Sequence, residues 1–320
     1  MTDADADDYE ALRHGVGSLA LGREMVRVAG PDARDYLQGQ CSQDIGALAA
    51  GSSADALLLT PQGKLDALVR ITRAADDAFY VDVDAGYGPA VVARLARFKL
   101  RVKADITTPE WTCVSLRGPV ATDVAGGAAP APGTSPAPGT SLAVPFAWGD
   151  VVGVDLFGVD PQIPSGVRSC GRAAWESLRI EAGICVMGAE LDGRTIAAEA
   201  GLLERAVSFT KGCYTGQELV ARLEARGNKV ARRLRGLVFD PSVDLSDTSA
   251  PNVIPGADVA IGPRVVGRVT SVAWSPTLQS SVALAYLHRD VAVPSLVHVA
   301  ADGVGPDAVA AQARALPLVG

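Results

Sequence analysis

The sequence predicts an α+β fold that gives way to a smaller all-β domain, and three observations lead there. Up to Ile106, short stretches of alternating apolar and polar residues are interspersed with single segments of helical spacing. Two further helical segments, Arg172 to Ala182 and Gly216 to Arg226, follow a Pro-rich interruption. From Arg235 onward only short apolar runs remain, separated by Gly, Pro and Asp, which is the pattern of a small barrel.

The N-terminal residues 1–15 carry Asp3, Asp5, Asp7, Asp8 and Glu10 and read as a disordered acidic tip. Arg23 to Ala29 reads as a strand. Asp32 to Gln38 reads as a short helix whose start is marked by Gly30-Pro31. Ala56 to Thr60 and Leu65 to Thr72 form two strands turning at Pro61-Gln62-Gly63, and Phe79 to Val83 alternates as a strand does. Pro89 to Phe98 has helical spacing through Val92, Leu95 and Ala96, and Lys99 to Ile106 returns to strand. This mixture is closer to a ferredoxin-like arrangement than to a doubly wound sheet, and neither a dinucleotide fingerprint nor a phosphate loop interrupts it. Residues 126–141, with Pro-Ala-Pro-Gly-Thr-Ser repeated in tandem, read as a flexible insertion that divides the α+β region, 16–230, while 235–320 forms the β-domain.

Composition narrows the function. With 48% hydrophobic and 20% charged residues among 320, the chain can bury a sizeable core, and no run of apolar residues is long enough to span a bilayer. The acidic N-terminus opposes the basic flank of an export signal, so a cytoplasmic protein is expected. A net charge of −7 argues against a general nucleic-acid surface. The five cysteines (Cys41, Cys113, Cys170, Cys185 and Cys213) are scattered without a CxxC pair and accompany three histidines, which spells neither a zinc nor a self-contained iron–sulfur site. His14, His288 and His298 lie far apart and support no hydrolase triad.

One run concentrates chemistry. Thr215-Gly216-Gln217-Glu218 has the form of a capping box that starts a helix at Thr215, with Gly227 beyond its end. Cys213 then lies just ahead of a helix N-terminus with Lys211 two residues away, an environment that lowers a thiol pKa. It reads equally as a small residue in a tight turn, and Glu218 as a cap alone. Glu181, on the helix with Trp175 and Leu178, is either a surface carboxylate paired with Arg179 or Arg205, or an acceptor for two parallel N–H groups, such as the amide–amine edge of a pterin. Arg97, Lys99, Arg101 and Lys103 alternate with apolar residues, giving a solvated sheet face or a strip for an anionic tail; Arg222, Arg226, Lys229, Arg232, Arg233 and Arg235 form a second basic cluster.

The run Lys211-Gly212-Cys213-Tyr214-Thr215-Gly216-Gln217-Glu218 resembles K-G-C-[FY]-x-G-Q-E, the signature of YgfZ-type folate-binding proteins, relatives of the glycine-cleavage aminomethyltransferases. Trp175 to Gly183 resembles the R-I-E-A-G segment of both groups, and Ala198 to Leu202 the E-A-G-L element that follows it. Leu37 to Gln40 with Asp44-Ile45, Leu59 to Lys64, and Arg97 to Arg101 resemble family segments in the family's order. The resemblance implies a three-unit ring, two interleaved α+β units and a C-terminal β-barrel, around a central cavity that takes tetrahydrofolate. It implies Glu181 as the pterin anchor with Arg179 beside it, Tyr214, Gln217 and Glu218 near the folate, and Cys213 with Lys211 as the functional motif. A monomeric accessory protein for iron–sulfur cluster assembly or repair follows, with reduced folate and cluster-assembly or client proteins as partners; a folate-dependent aminomethyl or methyl transferase is the alternative. Where the aminomethyltransferases carry an Asp-Asp pair, this chain has Asp66-Ala67, which weakens the transferase reading. At Cys41 the family more often has an aliphatic residue, so a packing role is expected there.

Overall fold

A computed structural model describes residues 2–125, 141–243, 253–301 and 308–320. The chain begins with α1 (Asp3–His14), β1 (Gly17–Leu19), β2 (Glu24–Ala29) and α2 (Ala33–Gln40), then β3 (Ser53–Leu59), β4 (Leu65–Ala75), β5 (Ala78–Val83), α3 (Gly88–Arg97) and β6 (Asp105–Thr107). It continues through β7 (Thr112–Arg117), α4 (Ala121–Val124), β8 (Leu142–Trp148), β9 (Val151–Gly158), β10 (Arg168–Ser169), α5 (Arg172–Ala182), α6 (Leu203–Ala206) and α7 (Gln217–Ala225). The last strands are β11 (Arg232–Phe239), β12 (Asp258–Ile261), β13 (Arg264–Ser275), β14 (Ser280–His288), β15 (Ser295–Ala300) and β16 (Val309–Arg314).

These strands make two five-stranded sheets, ordered β10-β1-β7-β9-β8 and β3-β4-β5-β2-β6, and a closed barrel ordered β11-β14-β13-β12-β15-β16. The sheets interleave in sequence, because β1 pairs with β7 across the whole of the second sheet. This is the α+β arrangement with a terminal β-barrel that the sequence predicts. The expected insertion, all but Ser141, lies outside the described residues.

The barrel closes because inward positions of its strands are uniformly apolar. Leu237, Phe239, Val259, Val269, Ala285, Val297 and Val299 share one buried cluster. Along β11 the alternate residues Leu234 and Val238 turn outward and pack against the main core instead, as a period of two requires. Helix α5 wedges between α1 and the barrel, burying Trp175, Leu178 and Ala182 with Tyr9 and Leu12. It ends where the sequence places its stop, at Gly183, whose φ of 71° lets the amide of Ile184 return to the carbonyl of Arg179.

Two expectations are corrected. Of the tip expected to be disordered, 1–15, the described residues 2–15 are ordered: Thr2 and Asp5 form a reciprocal cap, and Asp3 and Asp5 sit in the first turn, where the helix dipole favours them. The acidity that suggested fraying is what starts the helix. The strand expected from Lys99 to Ile106 shrinks to β6, because Arg101 takes a left-handed φ of 57° and breaks the alternation. Of the basic strip, Arg97 therefore ends α3, while Lys99, Arg101 and Lys103 lie in a loop in which Leu100 is 82% exposed.

A buried ion network joins the two sheets. On β4, Arg70 donates Nε to Asp82 Oδ2 at 2.9 Å, Nη2 to Asp155 Oδ2 at 2.7 Å, and Nη1 to the Pro145 carbonyl at 2.8 Å. Asp82 belongs to the same sheet as Arg70, whereas Asp155 and Pro145 belong to the other. Arg23 extends the chain to Asp82 at 2.7 Å and to Asp84, and Arg117 reaches Asp155 Oδ1 at 2.9 Å. Asp82 and Asp155 are fully buried, so their charges persist only while these cations face them.

Substituting Arg70→Met leaves both carboxylates short of a partner, and urea unfolding is expected to show a loss of about 3–5 kcal/mol. The surrounding arginines outweigh desolvation at Asp155 and hold its carboxyl below the usual range. Since the folded-state pKa lies under that of the unfolded chain, this stabilisation is complete above about pH 4 and is lost as pH falls through the folded value. Acid titration of unfolding free energy is expected to be steeper below about pH 4 for the native chain than for Asp155→Asn.

Candidate functional site

Where the two sheets, α5 and the segment after it converge, they leave a chamber of about 140 Å³. Its walls combine aromatic rings (Phe146, Trp148 and Trp175) with five arginines (Arg23, Arg70, Arg117, Arg172 and Arg205) and two carboxylates, Asp55 and Asp84. The sequence brings these together from β3, β4, β7, β8, the ends of β5 and α5, and α6. None belongs to the K-G-C motif.

The arginines are held in place from behind. Arg117, 1% exposed, lies 4.0 Å from the centre of the Phe146 ring and 5.5 Å from that of Trp175, so its charge is sandwiched between π-faces and Asp155. Its Nε is buried and has no hydrogen-bond partner among the described residues, an unmet donor behind the chamber wall. Arg205 stacks 3.9 Å from the Trp148 ring while pairing with Asp55 and donating to the Ala147 carbonyl at 2.7 Å. Asp84 accepts from Arg23 and, at 2.9 Å, from the backbone amide of Met187. Cys185 also lines the space, and burial drives its thiol well above the ordinary range, so it is neutral.

Two wider cavities flank the chamber. One of about 640 Å³ lies beside the barrel and shares Arg172, Val186 and Met187 with it. The other, about 510 Å³, opens at an end of the barrel and shares Trp148 and Arg205. The chamber alone falls short of the several hundred cubic ångströms a drug-sized ligand occupies, but it stands between two spaces of that size. The cavities had no linear sequence signal; alternation along β4 and β8 identified strands, and only the packing of one sheet on the other shows which of their residues meet.

The sequence-predicted residues fall elsewhere. Glu181 is completely buried outside the chamber wall: it accepts from Tyr9 Oη at 2.6 Å and from the Ser275 hydroxyl, with Arg13 at 3.8 Å. Desolvation outweighs these partners and raises its pKa. Arg179 faces the barrel, donating to Glu176 at 2.7 Å, Ser271 at 2.7 Å and Glu190 at 3.2 Å. Both residues therefore clamp α5 between α1 and the barrel. Glu190, which the sequence reading passed over, is the acceptor at the centre of the second clamp, bonded also to Thr270 at 2.9 Å.

The motif forms an exterior turn. Lys211 Nζ donates to the carbonyls of Gln38, Cys41 and Gln43 at 2.7–2.8 Å, so it caps the end of α2 instead of pairing with Cys213. Burial lowers its pKa. The capping box does not form. Gly216, at φ 83°, precedes the first turn of α7 without a side-chain cap, and the Thr215 amide goes to the Gly39 carbonyl at 3.1 Å. A Cβ at Gly216 would strike the Thr60 carbonyl and the Leu59 side chain, so close approach to the turn after β3 fixes this glycine. Gln217 Oε1 accepts from the Tyr214 amide at 3.1 Å, and burial pushes the Tyr214 phenol up to about 12. Cys213 and Glu218 are exposed. Asp66 pairs with Arg94 at 2.9 Å beside Pro61, Gln62 and Phe98, away from the chamber. Cys41 is packed in the main core.

Among the described residues no group of three or more His, Cys, Asp or Glu is placed to hold a metal ion, and no helix is long and apolar enough to cross a membrane. Comparison with known proteins accords with the architecture. Residues 1–134 match the GCVT N-terminal domain and residues 232–319 the glycine cleavage T-protein C-terminal barrel domain. An aminomethyltransferase of Rubrobacter xylanophilus is 28% identical over 303 residues, covering 88% of this chain and 78% of the relative. The tRNA-modifying protein YgfZ of Edwardsiella ictaluri is 30% identical over 218 residues, 63% of this chain and 65% of the relative. An uncharacterised protein of Haemophilus influenzae is 26% identical over 206 residues, 64% and 67% of the two chains. The crystal structure of the glycine cleavage system aminomethyltransferase T from Bartonella henselae superposes with a TM-score of 0.78 at 21% identity, covering 98% of this chain and 89% of that one. With both terminal domains matched and the whole architecture shared, the chain belongs to the glycine cleavage T-protein-like superfamily.

Proposed function

We propose that the chain is a YgfZ-type protein that binds a reduced folate in the chamber and serves as a cytoplasmic, monomeric accessory factor in iron–sulfur cluster assembly or repair. The observation that carries the folate reading is the chamber wall itself. A pterin needs flat apolar faces above and below and polar partners at its edges. Trp148, Trp175 and Phe146 offer the faces, the chamber arginines offer donors, and Asp55 and Asp84 offer carboxylate acceptors for an amide–amine edge. The chamber volume suits the heteroaromatic ring alone, with the remainder of a folate lying in a flanking cavity. In this reading Glu181 and Arg179 keep α5, and hence Trp175 and Arg172, in position.

Bound tetrahydrofolate would supply a nucleophilic ring amine for one-carbon chemistry. The second reading, folate-dependent aminomethyl transfer, draws support from Asp55 and Asp84, which line the chamber as a catalytic carboxylate would. Against it stand their commitments to Arg205 and Arg23 and the position of Asp66 outside the chamber.

The cluster role rests on the motif resemblance and on the exposure of Cys213. An exterior thiol can be reached by a partner protein, whereas the chamber thiol Cys185 is buried and neutral. Tyr214, Gln217 and Glu218 then serve the presentation of this turn, not contact with the folate ring.

Calorimetric titration with tetrahydrofolate, run beside an aminomethyl-transfer assay, separates the readings: binding without turnover is expected, and turnover would favour the transferase. Replacing Trp148 with Ala removes one ring face and is expected to weaken binding tenfold or more, read also as loss of tryptophan quenching; undiminished affinity would place the folate elsewhere. In a deletion strain, Cys213→Ala is expected to leave folate binding intact while failing to restore cluster-dependent enzyme activities. Full restoration would falsify the role given to the thiol.

A further inference from the structure

The turn joining β3 to β4 separates two features that a ligand in the chamber does not use. On one side Gly63 packs against Leu219 and Gly216, so the turn rests on the K-G-C motif and on α7. On the other, Thr60, Pro61 and Gln62 line a groove of about 360 Å³, completed by the Asp66–Arg94 pair and by Arg97 and Phe98 at the end of α3. Arg94 ties the two sides together. It donates to the Leu59 carbonyl at 3.0 Å and to Gln40 Oε1 at 2.9 Å, and the adjacent Gly39 carbonyl holds the Thr215 amide. The groove and the turn that bears the exposed Cys213 therefore flank one hairpin.

The edge of the groove is basic and unpaired. Among the described residues, Arg97, Lys99 and Arg101, and Lys64 after the turn, have no carboxylate within ion-pair distance. Arg97 lies only over the Phe98 ring, 5.8 Å from its centre. With 36 acidic against 29 basic residues the chain has carboxylates in excess, yet none is placed beside these cations, and the patch stays open to an anionic surface.

The same loop holds an apolar side chain outward. Arg101, at φ 57°, takes a conformation that residues with a Cβ adopt rarely, and Leu100 just before it is 82% exposed. Beside a groove walled by Pro61 and Phe98, that leucine gives the basic patch an apolar centre. A phosphate backbone would reward the cations alone, whereas a protein surface can answer the cations, the leucine and the groove together.

We propose that this loop and groove form a docking surface for an acidic protein segment that carries an apolar side chain. Its carboxylates face Arg97, Lys99 and Arg101, and its apolar side chain enters the groove beside Phe98. The inference rests on the reading of Cys213 as a thiol met by a partner protein, and adds to it the surface that holds this partner and the chemistry of the partner's side.

The test is fluorescence anisotropy of the full chain with two labelled acidic peptides of Asp and Glu, one with Phe and Leu at its centre and one with Ser at both positions, and with transfer RNA as a third probe. At low salt the apolar-centred peptide is expected to bind about tenfold more tightly than its Ser counterpart, and both weaken as salt screens the charges. Its affinity is expected to fall about tenfold in Arg97→Gln/Lys99→Gln/Arg101→Gln and about fivefold in Leu100→Ser. Leu100 is so exposed that its replacement leaves the core intact. Tetrahydrofolate binding should be unchanged in both variants, and Cys213→Ala should bind the peptide as the native chain does. In the deletion strain the triple variant is expected to restore cluster-dependent activities to about a third of the native level or less. Absence of peptide binding by the native chain, undiminished binding in the triple and Leu100 variants, full restoration by the triple variant, or loop-dependent binding of transfer RNA in place of the peptide overturns the surface. Peptide binding as expected, with full restoration by Cys213→Ala, removes the role of the thiol alone and leaves the surface standing.

Discussion

Arg70 is a single side chain on which two sheets depend. Its guanidinium spans from Asp82, on its own sheet, to Asp155 and the Pro145 carbonyl on the other, and the charges it neutralises are fully withdrawn from water. A buried ion pair of this kind adds little net stability over an apolar contact of the same shape, but its partial loss is costly. What it contributes is specificity: the sheets have one mutual position in which three arginines and three aspartates are ion-paired together. The chamber inherits its shape from that position, since Arg23, Arg70 and Arg117 are both members of the network and part of the chamber wall.

This arrangement explains why arginine recurs here. A cation needed at a ligand face must be kept charged inside a low-dielectric interior, and guanidinium does so with a planar fork that can serve a carboxylate behind and a ligand in front. Stacking on Phe146, Trp175 and Trp148 immobilises the forks without consuming their donors. The result is a polar chamber already ordered before a ligand enters, so less ordering remains to be done on binding.

Much of the fold was legible because it rests on local periodicity. The alternation of Phe79 to Val83, the helical spacing of Val92 and Leu95, and Gly183 as a helix stop all report short-range rules that tertiary packing leaves in force. The failures share a cause as well. Thr215 to Glu218 satisfies the pattern of a capping box, yet the amide of Thr215 is claimed by Gly39, remote in sequence and adjacent in space. Lys99 to Lys103 alternates as a strand does, but a left-handed Arg101 and the amide of Lys103, held by Asp32 at 2.7 Å, turn it into a loop. Glu181 illustrates the same limit at the site, because Tyr9, its partner, comes from a segment whose acidity argued for disorder. No residue of the motif lines the chamber, a separation that no reading along the chain contains.

The interleaving of the sheets has a bearing on how the chain is made. Strand β1 waits unpaired until β7 has been synthesised, and β10, its other neighbour, comes later still. The second sheet, by contrast, is complete in one continuous stretch from β2 to β6. On the ribosome that sheet can form while the N-terminal segment is still open, with β1 joining once β7 has emerged and α1 only when α5 has followed. Closing so long a loop adds little to the equilibrium cost but slows the search. The chamber, walled by residues of both sheets, therefore takes shape late in synthesis, after most of its individual strands already exist.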